Sequence, residues 1–138
     1  MKYNTKKLKL AIIGLGYVGL PLALEFAKKR PVIGFDINNK RIKELKSGVD
    51  KNSETKKKEL KNINQLHFTC SENDLETANC YIVTVPTPIN KLKKPNLKPL
   101  FDATKIICKF IKKGDLVIYE STVYPGCVEE QCVPLIEN

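Results

Sequence analysis

Short apolar runs alternate along the chain with longer segments in which apolar residues recur at helical spacing. The runs have the length of strands buried in a parallel sheet, and they cover residues 8–13, 32–35, 67–69, 80–85 and 115–120. The helical patterns are clear over residues 17–29, 38–45 and 97–111 and weaker over residues 53–61, 72–77 and 126–136. This alternation predicts an α/β domain with a doubly wound parallel sheet of the Rossmann type, in three α/β/α layers, truncated after the fifth strand and its helix.

Residues with strong preferences for the ends of helices and strands mark several of these boundaries. Asn38 is a favoured N-cap residue, and Pro31 ends the helix that precedes the second strand. Pro86 and Pro88 cannot continue a central strand because proline has no backbone N–H. We therefore expect the fourth strand to end near Val85 and the strand order to be 3-2-1-4-5.

Length and composition indicate one folded domain. The chain has 138 residues, of which 42% are hydrophobic and 28% are charged, which is typical of a globular domain. No apolar run is long enough to span a membrane, and glycines and Pro21 interrupt the stretch from Leu8 to Leu24, which therefore does not resemble a signal peptide. We expect a cytoplasmic protein whose domain fills residues 1–138.

The net charge of +9 raises the question of a nucleic-acid or membrane partner. The positive residues are spread along the chain, and in the densest segment, residues 40–61, acidic residues lie among them. Nearly all are lysines, with Arg30 and Arg41 the only arginines, and the densest segment contains no aromatic residue to stack on bases. The pattern predicts a solvated surface, with no nucleic-acid partner and no membrane partner.

The five cysteines and the single histidine predict neither a disulfide framework nor a metal site. The cysteines are scattered and form no C-x-x-C pair. His67 lies within the third apolar run, where a strand residue is the simpler interpretation. The sequence therefore predicts neither metal catalysis nor a Ser-His-Asp triad.

The segment from Gly14 to Gly19 has the form G-x-G-x-x-G between a predicted strand and a predicted helix, which is the context that makes this motif informative. Gly14 permits a tight turn, Gly16 allows a pyrophosphate to approach the backbone, and Gly19 allows close helix–strand packing. The N-terminus of the helix then offers N–H groups to phosphates. The alternative is a glycine-rich turn that binds nothing.

Asp36 and Arg41 are the candidates for recognition of a ribose and a base. An acidic residue at the end of the second strand can accept hydrogen bonds from a ribose 2′-OH, which favours NAD over NADP. Arg41 complicates this interpretation because an arginine here can hold a 2′-phosphate, or its planar head can cover an adenine. The alternative is that Asp36 caps the following helix and that Arg41 is solvated.

Thr87 and Thr122 follow the fourth and fifth strands, at the edge of the sheet where open parallel sheets bind ligands. Two prolines stiffen the loop of Thr87, so that it can present its hydroxyl group and backbone. Thr122 belongs to Glu120–Gly126, where a carboxylate and two hydroxyls meet at one strand end. The alternatives are a rigid turn at Thr87 and a helix cap at Ser121 or Thr122.

Four segments in this order carry a resemblance to a known family: GLGYVGLPLALEFA, VIGFDIN, IVTVPTPI and VIYESTVYPG. The chain resembles the NAD-binding domain of the UDP-glucose/GDP-mannose dehydrogenase family over essentially its whole length. It is most similar to bacterial UDP-N-acetylhexosamine 6-dehydrogenases of surface polysaccharide biosynthesis. The family oxidises the sugar C6 alcohol to a carboxylate and reduces two NAD molecules per sugar.

The resemblance implies roles for individual residues. Tyr17 and Val18 contact NAD together with the glycine turn, Asp36 and Arg41 bind its adenosine end, and Thr87 and Thr122 lie along the cofactor. Thr122 also matches a threonine that positions a catalytic water or the sugar hydroxyl. Under this resemblance Arg41 no longer argues for NADP.

The catalytic part of the family's pattern is missing. The family uses a cysteine nucleophile in a glycine-rich segment, and a lysine and an asparagine of a central domain for charge stabilisation. None of these motifs is present, and Cys127 and Cys132 are expected to be structural thiols. We therefore expect a cofactor-binding domain with the central and C-terminal substrate domains absent and with little activity alone. The alternatives are a non-catalytic NAD-binding module or gene remnant, and a basic nucleic-acid-binding protein.

Overall fold

Five parallel strands form one sheet in a computed structural model that describes residues 5–52, 60, 63–89 and 94–137. The strands follow the order β3-β2-β1-β4-β5, which confirms the predicted fold class and strand order. They are β1 (Leu10–Ile13), β2 (Val32–Phe35), β3 (Leu66–Thr69), β4 (Cys80–Val83) and β5 (Leu116–Tyr119). In the central register, Leu10 of β1 pairs with Val32 on one side and with Cys80 on the other.

Four α-helices with described bounds connect or follow the strands. They are α1 (Gly19–Ala27), α2 (Asn39–Lys46), α3 (Lys98–Cys108) and α4 (Val133–Glu137). The helix α2 begins as its sequence predicts, because the side chain of Asn38 accepts hydrogen bonds from the backbone N–H groups of Lys40 and Arg41. Short 3₁₀ turns cover Thr5–Lys7 and Glu72–Thr77. None of the described helices is long and apolar enough to cross a membrane.

The sheet separates two apolar layers, and successive residues of β1 point into opposite layers. Leu10 and Ile12 pack on the side of α1 and α2, whereas Ala11 and Ile13 pack on the side of α3. All four residues of β1 and of β4 are buried, but every residue of β5 is partly exposed. The centre of the sheet is therefore a rigid platform, and β5 is its more open side.

The last predicted helix is only partly α-helical, and two other segments lie outside the described residues. Residues 127–137 are helical without a break, but a π-helical turn covers Val128–Cys132 and α4 follows it directly from Val133. Pro134 has no N–H to donate to the preceding helical turn, and the π-helical segment ends immediately before α4, in which it lies. The helix predicted over 53–61 lies outside the described residues except for Leu60, and so does part of the loop after β4.

Candidate functional site

The turn after β1 has the close geometry that its glycines predict. Gly14 has a φ of +98°, a conformation that side chains other than glycine rarely adopt. Its N–H donates to the carbonyl oxygen of Phe35 at 2.8 Å, which ties the turn to the end of β2. The turn therefore lies at the carboxyl end of the sheet, between β1 and β2.

Gly19, the first residue of α1, packs against this turn with no room for a side chain. A Cβ atom at this position would lie 1.8 Å from the carbonyl oxygen of Gly14 and 2.4 Å from Oγ1 of Thr84. The buried hydroxyl of Thr84 donates to the carbonyl oxygens of Gly14, at 2.7 Å, and Ile13, at 3.1 Å. The sequence analysis missed Thr84, which connects β4 to the turn.

Gly16 is different, because space lies beside it. A Cβ atom at Gly16 would meet no heavy atom within 4 Å among the described residues. The neighbouring Tyr17 and Val18 are 67% and 53% exposed. The absence of a side chain at Gly16 is thus not required by packing, and it leaves the backbone of the turn open to a ligand.

Asp36 lies beside the same turn, at the end of β2, and is half-buried. One carboxylate oxygen accepts from the N–H of Leu15 at 2.9 Å, and the other accepts from the N–H of Asn38 at 2.9 Å. The alternative in which Asp36 caps α2 is wrong, because the side chain of Asn38 fills that position. Asp36 is instead held rigidly against the glycine turn, and each oxygen keeps lone-pair capacity for a hydroxyl donor.

Arg41 is buried, with 8% of its surface exposed, so the alternative of a solvated arginine is wrong. Its Nε donates to the carbonyl oxygen of Leu15 at 3.0 Å, and its Nη1 lies 2.8 Å from a carboxylate oxygen of Asp50. The side chain of Asp50 is 0% exposed. The Nη2 atom of Arg41 has no hydrogen-bond partner in the part of the chain that the structure describes. Arg41 therefore stabilises the glycine turn through its bond to the backbone of Leu15.

These groups meet in a cleft of about 490 Å³ at the carboxyl ends of β1, β2 and β4. Its lining includes Gly14, Gly16, Asp36 and Arg41, as the sequence predicts. It also includes residues that the sequence analysis did not single out: Ile37, Thr84, Asn96, Lys98 and Asp102. The spacing of Lys98 and Asp102, which form an ion pair one helical turn apart, is the signal that could have placed them on one helix face.

Thr87 and Thr122 lie next to each other but do not line this cleft. The hydroxyl of Thr87 donates to the carbonyl oxygen of Thr122 at 2.5 Å, and the hydroxyl of Ser121 donates to the carbonyl oxygen of Val85 at 2.7 Å. Neither Ser121 nor Thr122 caps the last helical segment, because its N-cap residue is Cys127 and no side chain bonds there. The loops after β4 and β5 are thus joined by hydroxyl groups.

The cysteines near the end of the chain lie in the core. Cys127 and Cys132 are both 0% exposed, and burial raises the pKa of the Cys132 thiol above its ordinary value. A thiol with a raised pKa is protonated at neutral pH and is a weak nucleophile. This geometry supports the expectation that both cysteines are structural.

A larger cavity, of about 1190 Å³, lies at the opposite edge of the sheet, near the amino ends of the strands. Its positive lining residues are Lys6, Lys7, Lys9, Lys29 and Arg30. Lys29 and Arg30 follow the C-terminus of α1, where positive charge complements the helix dipole. The larger cavity is not lined by the glycine turn, Asp36 or Arg41. The smaller cleft is therefore the candidate site.

The smaller cleft fits a dinucleotide. Gly16 leaves the backbone open where a pyrophosphate would approach, and Asp36 offers carboxylate oxygens to a ribose at the end of β2. A carboxylate at this position disfavours the additional 2′-phosphate of NADP. The residues present therefore match NAD.

Comparisons with known proteins agree with this assignment. Residues 8–138 match the family model described as "UDP-glucose/GDP-mannose dehydrogenase family, NAD binding domain". The chain is 58% identical over 133 residues to UDP-N-acetyl-D-glucosamine 6-dehydrogenase of Pseudomonas aeruginosa, covering 96% of this chain and 32% of that protein. The enzyme of the same name from Salmonella typhi is 54% identical, with coverage of 97% and 32%.

A solved structure supports the same fold. A ternary complex of GDP-mannose dehydrogenase from Pseudomonas aeruginosa superimposes with a TM-score of 0.87 at 26% identity, covering 94% of this chain and 32% of that one. In each of these three comparisons the chain spans about a third of the length of the protein that it matches. What is matched is the NAD-binding domain.

Proposed function

Because the chain belongs to the UDP-glucose/GDP-mannose dehydrogenase family, we propose that its NAD-binding domain serves the oxidation of a UDP-N-acetylhexosamine at the C6 hydroxyl, in the cytoplasm. The names of its relatives from Pseudomonas aeruginosa and Salmonella typhi support this substrate class. Converting the alcohol and one water to a carboxylate removes two hydrides, so two NAD molecules are reduced per sugar. NAD supplies the hydride acceptor, and the protein supplies its binding and orientation.

The observation that carries this proposal is the juxtaposition of open space at Gly16 with the fixed carboxylate of Asp36 in one cleft. Gly14, Gly16 and Gly19 shape the turn for the pyrophosphate. Asp36 and Arg41 serve the adenosine end, with Tyr17 and Val18 exposed beside it. Thr87 and Thr122 lie toward the nicotinamide, and Thr122 positions a water or the sugar hydroxyl.

The chain by itself binds NAD and does not oxidise a sugar, in this proposal. The family's nucleophilic cysteine matches none of the five cysteines here, and Cys127 and Cys132 are buried in the core. Residues 1–138 form the cofactor domain, and the substrate domains belong to the remaining two thirds of the family's length. Reduction of NAD by the purified chain with a UDP-N-acetylhexosamine would contradict this division.

The test of cofactor binding is a calorimetric titration of the chain with NAD and with NADP. We expect saturable binding of NAD and weaker binding of NADP. In Gly16→Ala the fold should be retained, because the added methyl meets no atom of the described residues within 4 Å, but it occupies the approach of the pyrophosphate. NAD affinity should fall about tenfold or more, since about 1.4 kcal/mol corresponds to a factor of ten. Wild-type chain that binds no NAD would overturn the proposal.

A second titration tests Asp36. Replacing Asp36 by alanine removes the acceptor for the ribose and the charge that repels the 2′-phosphate of NADP. The preference for NAD over NADP should therefore shrink. A preference that is unchanged in Asp36→Ala would assign the selectivity to another residue.

A further inference from the structure

The backbone ladder between β4 and β5 ends early. The N–H of Glu120 donates to the carbonyl oxygen of Val83 at 2.8 Å, and no later backbone hydrogen bond joins the two following loops among the described residues. Pro86 and Pro88 have no N–H group, so the loop after β4 lacks donors at alternate positions. The two strands would therefore separate beyond this point unless other groups joined them.

Two hydroxyl groups take the place of the missing backbone donors. Ser121 donates to the carbonyl oxygen of Val85, two residues beyond the last paired carbonyl of β4, at 2.7 Å. Thr87 donates in the opposite direction, to the carbonyl oxygen of Thr122, at 2.5 Å. We call this pair of bonds the hydroxyl brace. Each loop contributes one donor and one acceptor, which fixes the two backbones against each other.

The brace uses the main chain of Thr122 and leaves its side chain exposed. Its hydroxyl makes no hydrogen bond with the described residues, so it is available to a ligand. The hydroxyl of Thr87, by contrast, has already used its proton and can only accept from a ligand. Thr87 thus holds the two loops together, and the hydroxyl of Thr122 is the one that can donate to a ligand.

We propose that Ser121 is a positioning residue for the nicotinamide half of the cofactor. Its hydroxyl and that of Thr87 hold the loop of Thr122 at a fixed distance from the end of β4. This inference rests on the proposed function, in which Thr122 faces that part of NAD. Without the bond from Ser121, the Thr122 loop is joined to β4 by one exposed hydrogen bond instead of two.

The experiment compares NAD with ADP-ribose, which keeps the adenosine and pyrophosphate and lacks the nicotinamide. In Ser121→Ala, the affinity for NAD should fall about fivefold, the range expected for one lost hydrogen bond, and the affinity for ADP-ribose should stay unchanged. Ser121→Thr, which restores the hydroxyl, should recover NAD binding. Amide NMR spectra give a second readout: NAD should shift the Thr122 signal in the wild type and shift it less in Ser121→Ala.

Ser47→Ala is the matched control. Ser47 donates to the carbonyl oxygen of Glu44 at 2.7 Å, the same bond type and length as that of Ser121, and it lies at the end of α2 outside the cleft. It should bind both ligands as the wild type does. Equal loss of NAD and ADP-ribose binding in Ser121→Ala, or no loss at all, would overturn the inference. Wild-type chain that binds neither ligand would instead overturn the proposed function.

Discussion

The glycine turn after β1 and the loops after β4 and β5 lie at one edge of the sheet but are held in different ways. The turn is fixed by the half-buried Asp36, which accepts from the N–H of Leu15, and by the buried Arg41, which donates to the carbonyl oxygen of Leu15. The loops are fixed by two partly exposed hydroxyls. Buried polar contacts are costly to break, whereas exposed ones are replaced by water. The shape of the turn is therefore tied to the stability of the fold, and the shape of the loops is largely independent of it.

The largest expected effect is on stability and concerns the glycine turn. Gly19→Ala places a methyl group 1.8 Å from the carbonyl oxygen of Gly14, and backbone atoms cannot move aside cheaply. We expect the free energy of unfolding to fall by about 3 kcal/mol or more. Urea denaturation followed by circular dichroism measures it, with Gly16→Ala as the control at near wild-type stability. Equal stability of the two variants would remove the distinction between these glycines.

Arg41→Met should have the next largest effect. It removes the bond to Leu15 and the ion pair with the fully buried carboxylate of Asp50, a change that costs about 3 kcal/mol. The double variant Arg41→Met/Asp50→Asn should be more stable than Arg41→Met alone, because asparagine removes the buried negative charge that paired with Arg41. A loss below about 1 kcal/mol for Arg41→Met would mean that the pair acts as a surface ion pair.

The hydroxyl of Thr84 connects the end of β4 to the glycine turn, so its removal should have an intermediate effect on stability. Thr84→Val keeps the shape and deletes the hydroxyl that donates to Gly14 and Ile13. We expect a loss of about 1–2 kcal/mol in the free energy of unfolding, since the bond is buried. Thr84→Ser retains the hydroxyl and serves as the control. If valine proved as stable as serine, the hydroxyl would not hold the turn.

The smallest effect concerns an exposed pair outside the cleft, His67 of β3 and Asp74 of the 3₁₀ turn that follows it, and it tests whether burial decides the cost. The hydroxyl of Thr69 and then the ring of His67 lower the pKa of Asp74 below its ordinary value. A lowered pKa stabilises the folded state above the ordinary pKa of about 4, and this contribution is lost as the pH falls through the folded value.

The measurement compares Asp74→Asn with the wild type in urea at pH 7 and at pH 3. The side chain of Asp74 is 38% exposed, so the difference in unfolding free energy at pH 7 should stay below about 1 kcal/mol, and it should shrink at pH 3. A difference that grew at acid pH would contradict the assigned direction of the pKa shift.

Sequence reasoning succeeds here where the determining residues are neighbours in the chain. The strands, the glycine turn and the Asn38 cap each depend on a few consecutive residues, and the structure confirms them. Thr84 escaped notice because its partner Gly14 lies 70 positions away and reaches it only across the sheet. The burial of Arg41 could not be predicted for the same reason, since the backbone of Leu15 and the carboxylate of Asp50 surround it only after folding.

The two glycines of the turn also distinguish two kinds of natural selection. Any substitution at Gly19 harms folding, so selection for a stable protein alone preserves it. Gly16 has no such protection, because the described residues leave its Cβ position empty, and a lineage that no longer bound a cofactor could accumulate alanine or serine there. This chain has glycine at both positions. Among its relatives, loss of Gly16 with retention of Gly19 would identify a domain that still folds and has ceased to bind.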